Sequence, residues 1–317
     1  MSGYKGMVKK FPVNRPLTDQ DRKYHLEQGK RLDLKPYPDL MVVRLNSTYV
    51  EIVDKFFQEK GFIFLLVLTF FFVFVVGGVF VVFDVLDAVI NGERFKGYIL
   101  HGTFQAALLI AVGLGIAWFC RFEWRGYTYY PIRLNYKTQM VHVFRKDGSV
   151  LSVPWSELYF TLDYDFSYFK HWEIHAHVLA EDRETVLETF VMGTSGDVDP
   201  GGLPVLHAHW EFFRRYMEEG PESVAGYVKF AMPVENRREP FRSGYEVIMS
   251  AIRHPHPLVD VLRFVTWPLF FLQSVARWIA MRTCKLPSWP AEIKAVNVVA
   301  DDDPICIDSR INPPELR

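Results

Sequence analysis

One uncharged apolar stretch, residues 61–83, restricts the folds open to this chain more than any other feature. Its sequence, GFIFLLVLTFFFVFVVGGVFVVF, contains no charged residue, and Thr69 carries its single hydroxyl side chain. A helix needs roughly 20 apolar residues to cross a hydrocarbon core, and the cores of soluble proteins rarely contain an uncharged run of that length. The stretch therefore predicts a transmembrane helix rather than a buried core helix.

A second apolar stretch, residues 99–120, is also uncharged and follows after a short polar segment. Together the two stretches predict an antiparallel helical hairpin. Small side chains recur every four residues along the second stretch, and two glycines lie at a similar depth in the first; such residues let helices approach closely. We expect the two spans to pack through Gly77, Gly78, Thr103, Ala107, Ala111 and Gly115.

His101 and Gln105 interrupt the start of the second stretch, one helical turn apart. Polar residues inside a membrane can form a proton or ion site, but those near the end of a span more often reach the interface or a neighbouring helix. The second interpretation is favoured.

Basic residues are concentrated at the outer ends of the two spans, whereas the connecting segment 84–98 holds three acidic residues against two basic ones. Because cytoplasmic flanks carry the excess of lysine and arginine, this segment is predicted to face the periplasm, with both termini in the cytoplasm. The first sixty residues contain no apolar stretch of signal-peptide length, so the first span is expected to direct insertion into the bacterial inner membrane. The flanking basic residues are Lys55, Lys60, Arg121, Arg125 and Arg133.

Residues 1–60 predict a cytoplasmic arm rather than a domain. Thr18 followed by acidic residues is typical of a helix start, which predicts a short helix over residues 19–31. A second apolar-periodic stretch, residues 46–57, begins with the capping residues Asn-Ser-Thr. It is predicted to form a helix that continues into the first span.

Beyond the second span the pattern changes to the two-residue period of β-strands. Residues 140–145 and 150–155 flank an Asp-Gly turn, which is a strong hairpin signal. Residues 172–180 and 185–192 predict a second hairpin. An amphipathic helix ended by a Gly-Pro pair follows, and its apolar stripe is Leu206, Trp210, Phe213 and Met217.

These patterns predict an α+β membrane protein. A transmembrane helical hairpin at 61–120 is followed by a small antiparallel β domain at 121–220, which the amphipathic helix closes. This order of elements resembles the pleckstrin-homology-like domains that bacteria attach to membrane hairpins. The resemblance concerns architecture alone and implies no ligand.

The C-terminal region, 221–317, contains a further apolar stretch at 258–281. Charged residues leave it a short uncharged centre that Pro268 interrupts, so an amphipathic membrane-associated helix is favoured over a third span. Its predicted interfacial residues are Trp267, Arg277 and Trp278. The polar tail after Trp289 is expected to be mobile.

Two H-x-H pairs, His175/His177 and His207/His209, are candidates for metal ligands. Strand residues two apart point to one face, so His175 and His177 could share an ion, but no third ligand can be assigned. His207 and His209 point to different faces of a helix start. Exposed strand and helix positions are the favoured interpretation, and no metal or cofactor is predicted.

Two groups of charges invite functional interpretations. An acidic cluster beside the second hairpin suggests paired catalytic carboxylates, although hairpin turns ordinarily carry solvated charge. A basic group suggests contact with anionic lipid, although a solvated face is the commoner arrangement. The acidic cluster is Glu181, Asp182, Glu184 and Glu188, and the basic group is Arg214, Arg215, Arg237, Arg238 and Arg242.

Charge and motifs narrow the function classes. With 36 basic against 37 acidic residues the chain has no global positive field, so nucleic acid is not a predicted partner. The three cysteines include no C-x-x-C pair, and no P-loop, dinucleotide fingerprint, G-x-S-x-G or H-E-x-x-H motif is present. We predict that the protein is not an enzyme.

Six motifs spread over most of the chain carry a further resemblance. They are FPVNRPLT at 11–18, LNSTYVEIVDKFF at 45–57, KDGSVLSVPWSELYF at 146–160, HVLAEDRETVLETF at 177–190, HAHWEFFRRYMEEGP at 207–221 and RWIAMRTCKLPSWPAEI at 277–293. In these motifs the chain resembles an uncharacterised family of proteobacterial membrane proteins encoded beside type VI secretion effectors. The resemblance implies an immunity or accessory protein for a secreted toxin, working by contact, and implies no catalytic residue.

Three functional hypotheses follow. The first is a non-enzymatic interaction protein of the inner membrane that binds another protein and, as a second option, its own copies. The second is a module that senses membrane lipid or stress through the pleckstrin-like domain. The third is a channel or transporter component, which would need oligomers because two spans per chain do not enclose a pore.

Overall fold

The computed structural model describes residues 10–92, 96–119, 126–165, 171–196, 202–250 and 257–317. The chain divides into two compact units. The sheet unit consists of residues up to Gln58 together with 127–247 and 286–317. The helical unit consists of residues 59–126 and 248–285. The sheet unit thus draws on the predicted arm, β domain and C-terminal region alike; the predicted domain boundaries themselves stay a prediction.

One antiparallel sheet of the sheet unit is built from β3 (Val42–Asn46), β4 (Tyr49–Ile52), β5 (Ile132–Asn135), β6 (Met140–Phe144), β7 (Val150–Pro154) and β11 (Cys306–Ile307). Their order across the sheet is β11–β3–β4–β5–β6–β7. Strands β4 and β5 are hydrogen-bonded neighbours, with Ile52 opposite Ile132, although the whole helical hairpin lies between them in sequence. The hairpin is therefore an insertion between two adjacent strands.

The helix predicted over residues 46–57 is wrong. These residues form the turn and second strand of a β-hairpin, followed by a 3₁₀ turn at Lys55–Phe57. The Asn46 side chain accepts hydrogen bonds from the amides of Thr48 and Tyr49, at 2.9 and 2.8 Å, and so closes the turn. Asn, Ser and Thr suit tight turns as well as helix starts, because their side chains bond nearby amides in both.

A second antiparallel sheet is built from β1 (Arg15–Pro16), β2 (His25–Leu26), β8 (Leu158–Asp165), β9 (His171–Leu179) and β10 (Thr185–Gly196). Their order is β1–β10–β9–β8–β2, so the N-terminal residues supply both short edge strands. Between them lies α1 (Asp19–Lys23), which Thr18 caps as predicted. The helix ends before Arg31 because the chain enters β2 at His25.

Both predicted β-hairpins are confirmed. β6 and β7 pair from Met140 opposite Pro154 to Phe144 opposite Val150. Gly148 in their turn has φ +88°, a conformation that favours glycine. β9 and β10 pair antiparallel along most of their length.

The amphipathic helix is also confirmed, as α4 (Gly202–Glu219), and all four residues of its predicted stripe are buried. Trp210 contacts the rings of Trp155 and Phe160 at centroid distances of 5.7 and 4.8 Å. Aromatic side chains bury large apolar areas, so this cluster anchors the helix on the strands. Shorter helices follow as α5 (Glu222–Ala225), α6 (Phe241–Ser250) and α8 (Ala291–Val296).

The tail after Trp289 packs on the sheet unit, contrary to the expectation of a mobile segment. Asp303 accepts a hydrogen bond from the Ser47 amide at 2.9 Å. Asn312 exchanges two hydrogen bonds with the backbone of Ala231, at 2.9 and 2.7 Å. The polar composition of the tail thus reflects specific hydrogen bonds to the sheet unit, which the tail's own sequence does not reveal.

The helical unit contains α2 (Phe62–Ile90), α3 (Lys96–Phe119) and α7 (Pro257–Thr283). The two predicted spans are helices that pack against each other, and each is long and apolar enough to cross a membrane. Much of the predicted connecting segment 84–98 is helical as well; within it Val85 is buried and the Tyr98 hydroxyl donates to Asp84. The α+β class is confirmed, with two antiparallel sheets; the pleckstrin-homology-like topology stays a prediction.

Candidate functional site

Helices α2 and α3 expose an extensive apolar surface. Phe80 is 70% exposed and Leu100 is 74% exposed. Folded proteins rarely expose contiguous apolar patches unless these contact lipid or protein. Further exposed apolar side chains of the two helices are Phe70, Phe72, Val73, Val76, Phe83, Phe104, Leu108, Leu114 and Trp118.

Glycines set the distance between α2 and α3. A Cβ atom on Gly78 would lie 2.8 Å from a side-chain atom of Ile110, and one on Gly102 would lie 2.4 Å from Val85. Gly113 lies equally close to α2. Larger residues at these positions would force the helices apart, so the close approach depends on the glycines.

Of the predicted packing residues, Gly78 lies against α3, whereas most of those on α3 lie on its exposed side. A Cβ atom on Gly77 or Gly115 would meet nothing within 4 Å. Thr103, Ala107 and Ala111 are exposed. Small residues occur on two sides of α3, and spacing alone does not distinguish which side meets α2. The side that does carries Gly102, Ala106, Ile110 and Gly113.

Helix α7 confirms the predicted helix over 258–281 and packs against the start of α2. Gly61 has φ +89°, and a Cβ atom there would lie 2.3 Å from the Cα atom of Arg277. Arg277 is fully buried at this contact, and its interfacial position stays a prediction. Trp267 and Trp278 are 46% and 40% exposed, and their role at an interface stays a prediction.

The segments that lead into and out of the helical hairpin, residues 51–58 and 127–133, are bonded to each other within the sheet unit; we call them the hairpin root. Asp54 accepts hydrogen bonds from the amides of Phe56, at 3.2 Å, and Tyr130, at 2.9 Å. One carboxylate therefore closes the 3₁₀ turn on one side of the insertion and fixes the backbone on the other.

A buried ion pair lies at the centre of the hairpin root. Glu51 and Arg133 are opposite each other on β4 and β5, and the arginine Nε and Nη2 donate to Glu51 Oε2 at 3.0 and 2.6 Å. The Tyr129 hydroxyl donates to Oε1 at 3.1 Å and the Trp289 indole to Oε2 at 2.9 Å. The guanidinium lies over the rings of Tyr49 and Trp289, which stabilises its charge. Such a pair is stable because its donors and acceptors are satisfied.

His142 extends this polar row onto β6, opposite Arg133. It is buried, its Nδ1 lies 2.8 Å from Ser152 Oγ, and its Nε2 has no partner among the described residues. Burial and the nearby Arg133 charge lower the pKa of His142 to about 4. The imidazole is therefore neutral at pH 7.

A second polar cluster lies on β9. The fully buried Glu173 carboxylate contacts Lys55 Nζ at 2.6 Å, His171 Nε2 at 2.8 Å and His175 Nε2 at 3.0 Å. Burial raises the pKa of Glu173, but hydrogen bonds from His171 and His175 and the Lys55 charge outweigh it and hold the pKa well below its usual range. Lys55 and Arg133, two of the flanking charges used to predict orientation, are thus paired within the sheet unit; Arg121 and Arg125 lie outside the described residues.

His177 shares the face of His175, as predicted, but both residues are buried rather than exposed. Its Nε2 and Nδ1 lie 3.0 Å from Thr161 Oγ1 and 2.8 Å from Thr189 Oγ1. Burial and the neighbouring His175 lower the pKa of His177 to about 3. Among the described residues, no group of three or more His, Cys, Asp or Glu side chains is arranged to hold a metal ion.

His209 on α4 is buried as well, and its ring stacks on Tyr37 at 5.4 Å. Burial lowers the pKa of His209 to about 4. His207 is half-buried, so the two members of this pair have different surroundings. His254 and His256 lie outside the described residues.

Arg214 and Arg215 do not form the predicted solvated or lipid-binding face. Both are buried and donate to the carboxylate of Glu211, Arg214 at 2.8 and 3.0 Å and Arg215 at 2.6 Å. Arg215 also donates to the carbonyl of Leu34 at 2.7 Å. Arg215, together with Glu211, which accepts a hydrogen bond from the Leu32 amide at 3.1 Å, therefore binds the N-terminal segment to α4. The remaining members of the basic group, Arg237, Arg238 and Arg242, are exposed.

The acidic cluster beside the second hairpin does not act as a unit. Asp182 accepts from the amides of Glu184 and Thr185, at 2.9 and 2.8 Å, and so stabilises the turn. Glu188 forms an ion pair with Arg145. These carboxylates have separate structural roles, as expected for charges around a turn.

The buried acids and histidines therefore make structural contacts within the chain, some between strands and others between α4 and the N-terminal segment. A general acid or base works best with a pKa near the operating pH, whereas the pKa values of His142, His177 and His209 lie far below neutrality. The sequence did contain a signal for the first cluster. Each of four short apolar strands carries one charged residue or histidine in its interior, namely Arg44, Glu51, Arg133 and His142.

Comparison with known proteins gives one match. No curated protein and no solved structure matches the chain. A family model described as a family of unknown function, DUF6708, matches residues 108–301, which run from within α3 to beyond α8. The description of that family does not refer to proteobacteria or to type VI secretion. The match covers more than half of the residues of the chain. The chain therefore belongs to the DUF6708 family, whose function is unknown.

Proposed function

We propose that the protein is a non-enzymatic interaction protein of the bacterial inner membrane. Helices α2 and α3 anchor it in the lipid bilayer, and the sheet unit binds another protein in the cytoplasm. One observation carries this proposal: two long apolar helices with exposed side chains are inserted between neighbouring strands β4 and β5. A soluble domain would gain nothing from such a surface.

Helix dimensions support the anchoring role. At 1.5 Å per residue, the 29 residues of α2 extend about 43 Å and the 24 residues of α3 about 36 Å, whereas a hydrocarbon core is about 30 Å thick. A helix satisfies its backbone hydrogen bonds internally, as lipid requires. The apolar side chains on the outside of the pair are then solvated by acyl chains.

Topology tests this proposal first. With Cys120 and Cys284 replaced by serine, we introduce Asn91→Cys into the exposed end of α2 and compare it with the exposed native Cys306. In the first variant Cys306 is also replaced by serine, so that Asn91→Cys is its sole cysteine. A membrane-impermeant maleimide is expected to label this variant in cells with a permeabilised outer membrane. The second variant keeps Asn91 and has the native Cys306 as its sole cysteine. It is expected to react with the maleimide only after lysis.

Two outcomes would contradict the topology. Labelling of Cys306 but not of Asn91→Cys in unlysed cells would reverse the orientation. Recovery of the folded chain in the soluble fraction without detergent would remove the membrane anchor, and the proposed function with it.

We further propose, on the six sequence motifs, that the bound protein is a type VI secretion effector or component and that this chain is its immunity or accessory protein. Deleting the gene is expected either to make the cells sensitive to killing by sibling cells or to abolish their ability to kill other cells. The wild-type gene should restore the phenotype. Complementation with Val76→Asp, which places a charge in the middle of α2, should fail because insertion is opposed by about 3 kcal/mol. Val76→Leu is the matched control and should succeed.

If deletion changes neither killing nor self-protection, the immunity and accessory version is rejected. Affinity capture from detergent extracts of the wild-type strain then tests the general version. Capture of no stoichiometric partner, with the protein folded and anchored, would contradict a role in binding protein.

Homo-oligomers are a second candidate, and one observation favours them. Thr103, Ala107, Ala111 and Gly115 lie on a side of α3 that does not contact α2, where a helix of another copy would find small side chains. A channel or transporter would need such contacts. Sedimentation in detergent tests both ideas, since a strictly monomeric particle would contradict homo-oligomers and a channel or transporter alike. Contact of the basic group with anionic lipid cannot use Arg214 and Arg215, because both are buried against Glu211; lipid sensing through the pleckstrin-like domain stays a prediction.

A further inference from the structure

Three aromatic side chains line a pocket of about 470 Å³ in the sheet unit, between α1 and the ends of β8 and β9. We call it the aromatic pocket. Its lining residues are Asp19, Gln20, Lys23, Tyr24, Tyr164 and Trp172. It is separate from the buried His and Glu clusters, and nothing in the proposed function uses it.

The rings of the aromatic pocket are arranged around Trp172. Tyr24 meets the indole at a centroid distance of 5.2 Å and an angle of 63°, and Tyr164 meets it at 5.1 Å and 61°. All three side chains are half-buried, so each keeps part of its surface open to the pocket. At these distances the rings contact one another edge to face, so together they form one continuous aromatic wall of the pocket.

The charge at the mouth favours a cation. Aromatic ring faces are electronegative and attract cations, with tryptophan the strongest. The exposed Asp19 carboxylate has no hydrogen bond or ion pair with any described residue, and Lys23 is the other charged residue in the lining. Gln20 is held in place by a hydrogen bond to Asp163 at 2.9 Å and adds no charge.

The chain itself already places a cation here. The Lys23 ammonium lies 5.1 Å from the centre of the Tyr24 ring. Lys23 is exposed, so its flexible side chain can leave the pocket with little loss of packing. A competing ligand would replace this weak intramolecular contact.

We propose that the aromatic pocket binds a quaternary ammonium group, such as that of choline. Primary ammonium and guanidinium groups carry N–H donors, which lose hydrogen bonds to water when they enter a pocket of aromatic rings. A methylated ammonium has no N–H group, and its charge spreads over methyl groups that pack against ring faces. Three rings and one unpaired carboxylate supply what such a ligand needs.

Calorimetry on the full chain in dodecyl maltoside, which carries no ammonium group, tests the proposal with choline chloride. The neutral isostere 3,3-dimethylbutan-1-ol has the same shape without the charge, and it is expected to bind at least about tenfold more weakly. Trp172→Ala should abolish choline binding. Trp278→Ala, which removes an exposed indole of the helical unit, is the matched control and should leave it unchanged.

Lys23→Met gives a result that a misfolded variant cannot mimic. It removes the competing ammonium and keeps a side chain of similar length, so choline affinity should rise by about threefold to tenfold. Asp19→Asn should lower it by a similar factor. Equal affinity for choline and its neutral isostere, no choline binding at all, or an unchanged affinity in Lys23→Met would each overturn the proposal.

The quaternary ammonium could belong to a soluble compound or to a lipid headgroup, and competition separates these sources. Displacement of bound choline by dihexanoyl phosphatidylcholine below its micelle concentration would assign the pocket to a headgroup. Retention of choline under the same conditions would assign it to a soluble compound. Membrane anchoring is tested independently, so failure of either proposal leaves the other standing.

Discussion

Glu51→Gln is expected to destabilise the sheet unit by about 3–5 kcal/mol, because it leaves the buried Arg133 guanidinium without its counter-charge. The glutamine also presents an NH₂ group where the carboxylate accepted hydrogen bonds from Arg133, Tyr129 and Trp289. Urea unfolding of the full chain in maltoside micelles, followed by tryptophan fluorescence, measures the loss as a lower transition midpoint.

The chain offers a matched control for this substitution. Arg44 and Glu235 also form a salt bridge, at 2.8 Å, but both side chains are more than a quarter exposed. Glu235→Gln should therefore cost about 1 kcal/mol or less, because water screens the remaining charge. If the two substitutions had equal effects, the hairpin root would not be the buried electrostatic element described above.

A double substitution distinguishes the interaction energy of the Glu51–Arg133 ion pair from the separate effects of the two residues. Glu51→Gln with Arg133→Met removes both charges, so the cost of an unpaired buried cation disappears. The double variant should be more stable than Glu51→Gln alone. A double variant that is less stable than either single one would show that the two residues act independently.

Acidification from pH 7 to pH 5 is expected to destabilise the sheet unit by about 6 kcal/mol in sum. His142, His177 and His209 have folded-state pKa values of about 4, 3 and 4, below the ordinary value of about 6.5. Between pH 6.5 and those values the unfolded chain binds protons that the folded chain does not. Stability therefore falls as the pH falls, and at pH 5 each histidine accounts for about 2 kcal/mol of the loss.

Unfolding midpoints across pH 5–7.5 check this slope. His142→Asn removes one of the titrating groups and should flatten the slope by about a third. Ser152→Ala removes the hydroxyl partner of His142 and no titrating group, so it should shift the whole curve but keep its slope. Glu173 adds a separate loss below about pH 4.5, since a depressed carboxyl pKa stabilises the fold only above that range. Constant stability between pH 7.5 and pH 5 would contradict the burial of these imidazoles.

Local patterns in the sequence predicted those elements that local chemistry determines. The uncharged runs gave α2 and α3, the Asp-Gly turn gave the β6–β7 hairpin, and the stripe from Leu206 to Met217 gave α4. The same local chemistry misled at residues 46–48, because an Asn-Ser-Thr segment caps helices and closes tight turns with the same side-chain hydrogen bonds. Only pairing with the distant β5 decides between the two.

Which polar residues meet in these clusters could not be predicted from the sequence, because the members of each cluster are far apart in it. Lys55 meets Glu173, and Trp289 meets Glu51, across more than a hundred residues in each pair. Arg214 and Arg215 looked exposed because adjacent arginines usually are, and only the fold shows that both contact Glu211. The aromatic pocket likewise joins the N-terminal segment to β8 and β9.

The insertion between β4 and β5 also orders the events of biosynthesis. β4 leaves the ribosome first, and its hydrogen-bonding partner β5 follows only after residues 53–131, which take about 4–16 s to translate at 5–20 residues per second. During that interval one edge of the nascent β3–β4 pair is unprotected and Glu51 waits without Arg133. Under the proposed membrane anchor, the translocon would receive both apolar helices before this sheet can close, and membrane delivery would then be a step in the folding of the sheet.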